Sequence, residues 1–194
     1  MKPLSISILT VCGVDEIAAQ RDRAVTHVLS LLDPGWPEIA SFVDFAEHRR
    51  AIMHFHDIID EAPDKSAPTR ADVEKILAFG ADLAAERDTR TAGHLLVHCQ
   101  MGISRSTAAM LMLLAQVHPD ETEANLYARL RDIRPQAWPN SRMVGFADEL
   151  LGRNGKLVAA LAPHYREALK FEPKYREWMP MLGRGRELDM ALAE

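Results

Sequence analysis

The sequence predicts an α/β domain built on a mostly parallel central sheet of four to five strands flanked by helices. Two observations carry that expectation. Short apolar or alternating runs of strand length recur at residues 4–11, 26–32, 52–56 and 95–97. Segments with helical spacing or helix-start signals stand between them, at 15–21, 37–48 and 71–87. Strand and helix in alternation mean parallel strands joined by right-handed crossovers. A chain of 194 residues holds one such domain with room for an added tail. Its 47% hydrophobic content suffices for a core, and 26% charged residues is ordinary for a soluble protein.

Each element has its own signal. At residues 4–11, Ser5 and Ser7 alternate with Ile6 and Ile8 as on a strand. The same polar interruptions, with bulky Val11 where a cleavage site needs a small residue, argue against a signal peptide. Gly13 turns the chain, and Asp15 starts a helix to Arg21. The run THVLSLL is the second strand and ends in the turn Asp33-Pro34-Gly35. Pro37 suits the first turn of a helix reaching His48. IMHFH is the third strand, with Asp57 at its end. Residues 57–70, with two prolines and several acids, form a surface loop. Thr69 caps a helix over 71–87, and residues 88–93 link it to the central strand. Later, Asp120 with Glu123 makes a capping box for a helix to Ile133, and Ser141 caps another to Leu151. Residues 152–194 hold Pro163, Pro173 and Pro180 between short amphipathic pieces.

The most informative stretch is residues 95–109, LLVHCQMGISRSTAA. A buried strand ends at His98-Cys99, five residues follow, and then Arg105 and Ser106 open a helix. A loop closing onto a helix N-terminus aims several backbone N–H groups inward as an anion nest. Gly102 sits mid-loop, where positive φ or close backbone approach is needed. Arg105 adds a planar fork suited to two phosphate oxygens. In that positive field Cys99 is expected to titrate below a free thiol's pKa of about 8.5. A thiolate beneath a bound phosphate is poised for in-line attack on phosphorus.

HCQMGISRS resembles the H-C-x-x-G-x-x-R-[ST] loop of the cysteine-dependent protein tyrosine phosphatase superfamily, and Ser-Arg-Ser is closest to its dual-specificity branch. THVLSLL is similar to the second strand of that branch. The resemblance spans roughly residues 4–151. It implies a phosphatase-type fold and a catalytic domain over 1–151, leaving 152–194 as a C-terminal helical extension of unassigned role. It also implies that Cys99 forms a thiophosphoryl intermediate while Arg105 and the N–H groups of Gln100, Met101, Gly102, Ile103 and Ser104 hold the phosphoryl oxygens. By the same resemblance the Ser106 hydroxyl assists the departing sulfur, and His98 supports the loop or is a plain core histidine. Asn140 in Pro139-Asn140 braces neighbouring loops or serves only a turn.

The leaving oxygen needs a proton, and the family draws it from an aspartate upstream of the cysteine. Asp57 is preferred, since it leaves the third strand at the edge that holds the phosphate loop. Its spacing to Cys99 is longer than the family's usual one. Asp64 follows Pro63 as in the Trp-Pro-Asp loop of classical tyrosine phosphatases, but Ala62 stands in place of the tryptophan. Asp60 comes third.

His54, His56, Asp57 and Asp60 do not make a recognised metal set, so no metal and no cofactor are expected. The net charge of −5 argues against nucleic acid as the partner. No run reaches the ~20 apolar residues of a membrane span. With only two cysteines, a disulfide scaffold is excluded and a reducing, cytoplasmic setting is expected. The loop lacks the lysines that phosphoinositide phosphatases of the superfamily often carry. A phosphorylated protein, phosphotyrosine first, is therefore the expected partner, with small phosphate esters the alternative. A rhodanese-type sulfurtransferase and an inactive phosphopeptide-binding module compete from other classes. Oligomeric state is left open. Cys12, at the end of the first strand, is either a core residue or a resolving thiol for Cys99.

Overall fold

The computed structural model describes residues 8–85 and 93–193. Among the described residues four strands, β1 (Ile8–Cys12), β2 (His27–Leu32), β3 (Arg49–His54) and β4 (His94–His98), form one sheet. Their order is β1-β4-β2-β3 and every pairing is parallel. β2 and β4 lie at the centre and are buried along their whole length, as a sheet covered on both faces requires. Because all strands run the same way, their last residues emerge at one edge; Cys12 and Ser30 both stand beside His98, and Leu32 beside His54. Residues 4–7 of the first expected strand, and 88–92 of the expected link, lie outside the described residues.

The two faces differ. On one, Leu29, Leu31, Leu95 and Val97 meet the large core cluster. The central helix there is α2 (Arg105–Val117), buried from Arg105 to Ala115. Beside it pack α1 (Arg70–Ala85), α3 (Glu123–Ile133) and α4 (Ser141–Leu150). On the other face, Cys12, Val28, Leu32 and Leu96 meet a smaller cluster of Ile17, Val25, Ile39 and Phe42, with Val14 and Phe45 packed against it. Here the sequence predicts helices at 15–21 and 37–48. The structure has 3₁₀ turns instead, at Val14–Glu16, Ala18–Arg23 and Ala40–Asp44. These segments bury isolated side chains rather than a stripe, and a packed stripe is what sustains an α-helix. Two caps also shift by one or two residues. Thr122, not Asp120, caps α3, and Asn140, not Ser141, caps α4 by accepting the Met143 N–H at 3.1 Å.

Residues beyond 151 fold into α5 (Lys156–Ala159), α6 (Leu161–Phe171), α7 (Tyr175–Met181) and α8 (Gly185–Leu192). They join the large core rather than trailing from it. Leu157, Leu161, Tyr165, Ala168, Tyr175 and Leu188 belong to the same cluster as the sheet. Tyr165 stacks on Trp138 at 4.2 Å between ring centroids, and the Tyr127 hydroxyl donates to the Leu157 carbonyl at 2.9 Å. Asp148 of α4 accepts the N–H groups of Gly155 and Leu157, fixing the start of the segment. Among the described residues no helix is long and apolar enough to cross a membrane.

Candidate active site

The loop between β4 and α2 has its carbonyls turned outward, each held by a named donor. Gln100 O accepts from the Val14 N–H at 2.9 Å. Met101 O and Gly102 O accept from the Arg134 guanidinium at 3.2 and 2.9 Å. Ile103 O accepts from the Trp138 N–H, and Ser104 O from the Ala108 N–H, both at 2.9 Å. In a trans peptide the N–H points opposite to the C=O. Five outward carbonyls therefore turn the N–H groups of residues 101–105 toward the inside of the loop. Gly102 makes this possible. Its φ is +68°, and a Cβ there would lie 2.3 Å from the carbonyl carbon of Cys12. Gly13 is the reciprocal surface, since its Cβ would meet Gln100 O at 2.9 Å. The end of β1 and the loop thus pack backbone against backbone.

Cys99 sits at the base of the loop, 2% exposed, with its Sγ 3.2 Å from the Ser106 hydroxyl. Arg105, the first residue of α2, is 1% exposed. Its NH1 donates to Asp33 Oδ1 at 2.7 Å and to Phe55 O at 2.6 Å, and its NH2 donates to the Gln100 side-chain oxygen. Its Nε is buried with no hydrogen-bond partner among the described residues. His98 is fully buried, with Nε2 2.6 Å from the Ser30 hydroxyl, which also accepts from Arg50 Nε. Burial first, then the charges of Arg50 and Arg105, push its pKa down to about 4, so the imidazole is neutral.

Of the three aspartates considered for proton donation, only Asp57 meets the loop. Its Oδ1 accepts from Ser104 Oγ at 2.6 Å and from Asn140 Nδ2 at 3.0 Å, and it lies 3.3 Å from Arg184 NH1. Among the described residues none donates to Oδ2. Burial raises the pKa of this carboxyl, but Arg184, Arg105 and the two hydrogen bonds more than offset it, leaving a net lowering. Asp60 is exposed and pairs with Arg186 at 3.1 Å, while Asp64 is exposed with φ +60°. Asn140 is fully buried; its amide nitrogen also donates to Ile58 O, so it ties the start of α4 to the Asp57 loop.

Four groups at the site escape a reading of the sequence alone. Asp33, which reads only as a turn residue, is the ion-pair partner of Arg105. The parallel sheet order would have placed it, since β2 ends beside β4. Arg134 pairs with Glu16, whose carboxylate also takes the Gly13 N–H at 2.6 Å. Arg184 and Glu187 come from the C-terminal segment, and no local pattern marks them. The metal set weighed above is not assembled: His56 accepts the Ser66 N–H, and among the described residues no three His, Cys, Asp or Glu side chains gather as ligands. Cys12 is a free thiol at the same sheet edge as Cys99. Burial and then the Glu16 charge push its pKa up to about 12, which works against attack as a thiolate.

A scan against protein-family models finds no match, and a search of curated proteins finds none. Solved structures do match. The human tyrosine phosphatase-like serine/threonine/tyrosine-interacting protein superposes with a TM-score of 0.57 at 14% identity, covering 77% of this chain and 95% of that one. Cydia pomonella PTP-2 phosphatase gives 0.56 at 16% identity, covering 75% and 86%. A mouse putative dual specificity phosphatase complexed with zinc tungstate gives 0.55 at 16% identity, covering 79% and 91%. Such identities carry the fold rather than the activity. The chain has the fold of the dual-specificity and tyrosine phosphatases, the superfamily that its HCQMGISRS loop resembles.

Proposed function

We propose that this protein hydrolyses phosphate monoesters through a thiophosphoryl-cysteine intermediate, with protein phosphotyrosine as the leading substrate and phosphoserine or phosphothreonine as the next. The single observation that carries the reading is the loop itself. Inward N–H groups, a buried arginine whose Nε has no partner among the described residues, and a thiol at the base surround a space that suits one tetrahedral oxyanion. The tungstate bound to the mouse neighbour is an oxyanion of that kind.

In the first step the Cys99 thiolate attacks phosphorus as the ester P–O bond breaks, and the leaving oxygen takes a proton from Asp57. Arg105 and the loop N–H groups, Gln100 to Ser104 included, hold the three equatorial oxygens. In the second step water attacks phosphorus, Asp57 recovers a proton from it, and the S–P bond breaks. Ser106, 3.2 Å from the sulfur, donates a hydrogen bond to the departing thiolate. Asp57 is ionised at rest. A bound phosphate dianion cancels much of the Arg105 charge and raises the Asp57 pKa toward the value a general acid needs. Its Oδ2 is the oxygen that carries the proton. His98 and Asn140 support the loop without touching substrate.

The catalytic domain covers residues 1–151, with 152–194 a helical extension packed onto it. Met101 stands at the rim, 63% exposed, where an apolar side chain suits an aryl ring. The loop carries no lysine, which favours one phosphate over the several of a phosphoinositide. The reaction requires neither metal nor cofactor. A reducing cytoplasm suits both free thiols.

The test is turnover of an aryl phosphate beside panels of phosphotyrosine, phosphoserine, phosphothreonine and phosphoinositide substrates. Preference for aryl phosphate and phosphotyrosine is expected. Tight phosphopeptide binding with no turnover would instead make the protein a binding module, and preference for phosphoinositides would move the substrate class.

A further inference from the structure

We propose that Arg184, from the C-terminal segment, is a positioning residue of the active site that sets the geometry of the phosphate loop and of Asp57. This rests on the phosphatase reading above and deepens it. Arg184 precedes α8 and is 2% exposed. Its NH1 donates to the Ser104 hydroxyl and lies 3.3 Å from Asp57 Oδ1. It therefore bridges a residue of the loop and the proton donor, joining two pieces of chain that are far apart in sequence.

Arg184 is itself held. Its Nε donates to Glu187 Oε2 at 2.7 Å, and Glu187 is 0% exposed. Glu187 also accepts from Trp138 Nε1 and from the Ser141 N–H, both at 2.7 Å. The Trp138 N–H in turn donates to Ile103 O of the loop. The chain of contacts thus closes on itself: loop, Trp138, Glu187, Arg184, loop. A pair buried this deeply is rarely the most stable choice for a core, because apolar residues of the same volume serve as well or better. Here one arm of the network reaches Ser104 and Asp57 through Arg184, and another reaches Ile103 through Trp138. The geometry marks the C-terminal segment as part of the catalytic unit.

The electrostatic consequence follows from the groups around Asp57. Arg184 faces it from the start of α8, Arg105 from the start of α2, Ser104 from the loop and Asn140 from the cap of α4; Glu187 stands behind Arg184. Removing the Arg184 charge removes the largest influence holding the Asp57 carboxyl ionised. The pH at which the rate falls, as Asp57 loses its proton, then moves upward.

The experiment compares the full-length wild type with Arg184→Met and Arg184→Lys. It reads kcat and KM for an aryl phosphate across pH and the Kd for tungstate. Arg184→Met is expected to lower kcat/KM by about tenfold to a hundredfold, weaken tungstate binding and move the descending limb to higher pH. Arg184→Lys keeps the charge but cannot span Ser104 and Glu187 together. It is expected to leave the limb in place and recover part of the rate, and it decides the matter if Arg184→Met does not fold. A folded Arg184→Met with the wild-type limb, or an Arg184→Lys variant identical to wild type in rate and tungstate affinity, overturns the proposal. If the wild type itself neither turns over aryl phosphate nor binds tungstate, the phosphatase reading fails first and takes this inference with it.

Discussion

Arg134 and Arg184 hold two stretches of one loop by different means. Arg134 grips the carbonyls of Met101 and Gly102 and pairs with Glu16, which is 45% exposed in its side chain. On that flank the loop also lies backbone to backbone on Cys12 and Gly13, so the arginine reinforces a contact that packing already fixes. Arg184 grips the Ser104 hydroxyl and pairs with Glu187, with side chains 3% and 0% exposed. That flank has one backbone hydrogen bond, from the Trp138 N–H to Ile103 O, and otherwise rests on side chains, of which Arg184 and Glu187 come from beyond the residues that the loop's resemblance spans. Where backbone packs on backbone, a mutation in the ion pair is cheap and a mutation in the glycine is costly. Where side chains carry the contact, the ion pair is the costly place to cut.

Four predictions break or sharpen this contrast. The largest effect is on the Arg184 flank. Glu187→Ala leaves the buried Arg184 guanidinium with only Asp57 at 3.3 Å as counter-charge, strips the acceptor from Trp138 Nε1 and the Ser141 N–H, and should destabilise the protein by about 3–5 kcal/mol, read by denaturant unfolding. A cost below about 1 kcal/mol would make the two flanks alike. Next, Gly102→Ala forces a Cβ onto the Cys12 backbone at positive φ. Strain of that kind is worth about 1–3 kcal/mol before the overlap is counted, and tungstate affinity should collapse with it. Unchanged affinity would remove backbone packing as the explanation of the Arg134 flank.

The third prediction concerns acid. His98 on β4 and His164 on α6 are buried, and burial is the first cause pushing each down to about 4. An unfolded histidine titrates near 6.5, so the unfolded chain binds more protons between these values. The stability that comes from burying neutral imidazoles is present above about pH 6.5 and is lost as pH falls toward about 4. Each tenfold change in proton affinity corresponds to about 1.4 kcal/mol. His164 Nε2 lies 3.0 Å from Ala137 O, next to Trp138, so the Arg184 flank loosens along with the sheet. A flat stability curve over that interval would contradict the burial argument. The smallest effect belongs to Glu16→Gln, which weakens a pair whose acid is half-exposed and should cost under about 1 kcal/mol with little change in tungstate affinity.

What the sequence discloses follows the same division. The sheet is readable because its strands are short apolar runs, and the loop because its chemistry is packed into nine consecutive residues. The third strand reads as 52–56 but forms over Arg49–His54, since Arg49 and Arg50 carry no strand pattern. The turns that cover the second face read as helices because Asp15 and Pro37 are genuine helix-start residues; only the small cluster they cover limits them. Arg184 is invisible in the sequence because it meets Asp57 across 127 positions, and Asp33 because it meets Arg105 across 72. Contacts of that range leave no local period to read.

The central claim is that Cys99 accepts the phosphoryl group, and trapping that adduct tests it most directly. Ser106→Ala should slow the second step, because the departing thiolate loses the hydroxyl 3.2 Å away. Rapid acid quench after mixing with an aryl phosphate, followed by mass mapping, should then find phosphoryl on Cys99 in Ser106→Ala and none in Cys99→Ser. Turnover that continues in Cys99→Ser, or a phosphoryl group mapped to any other residue, would contradict the account.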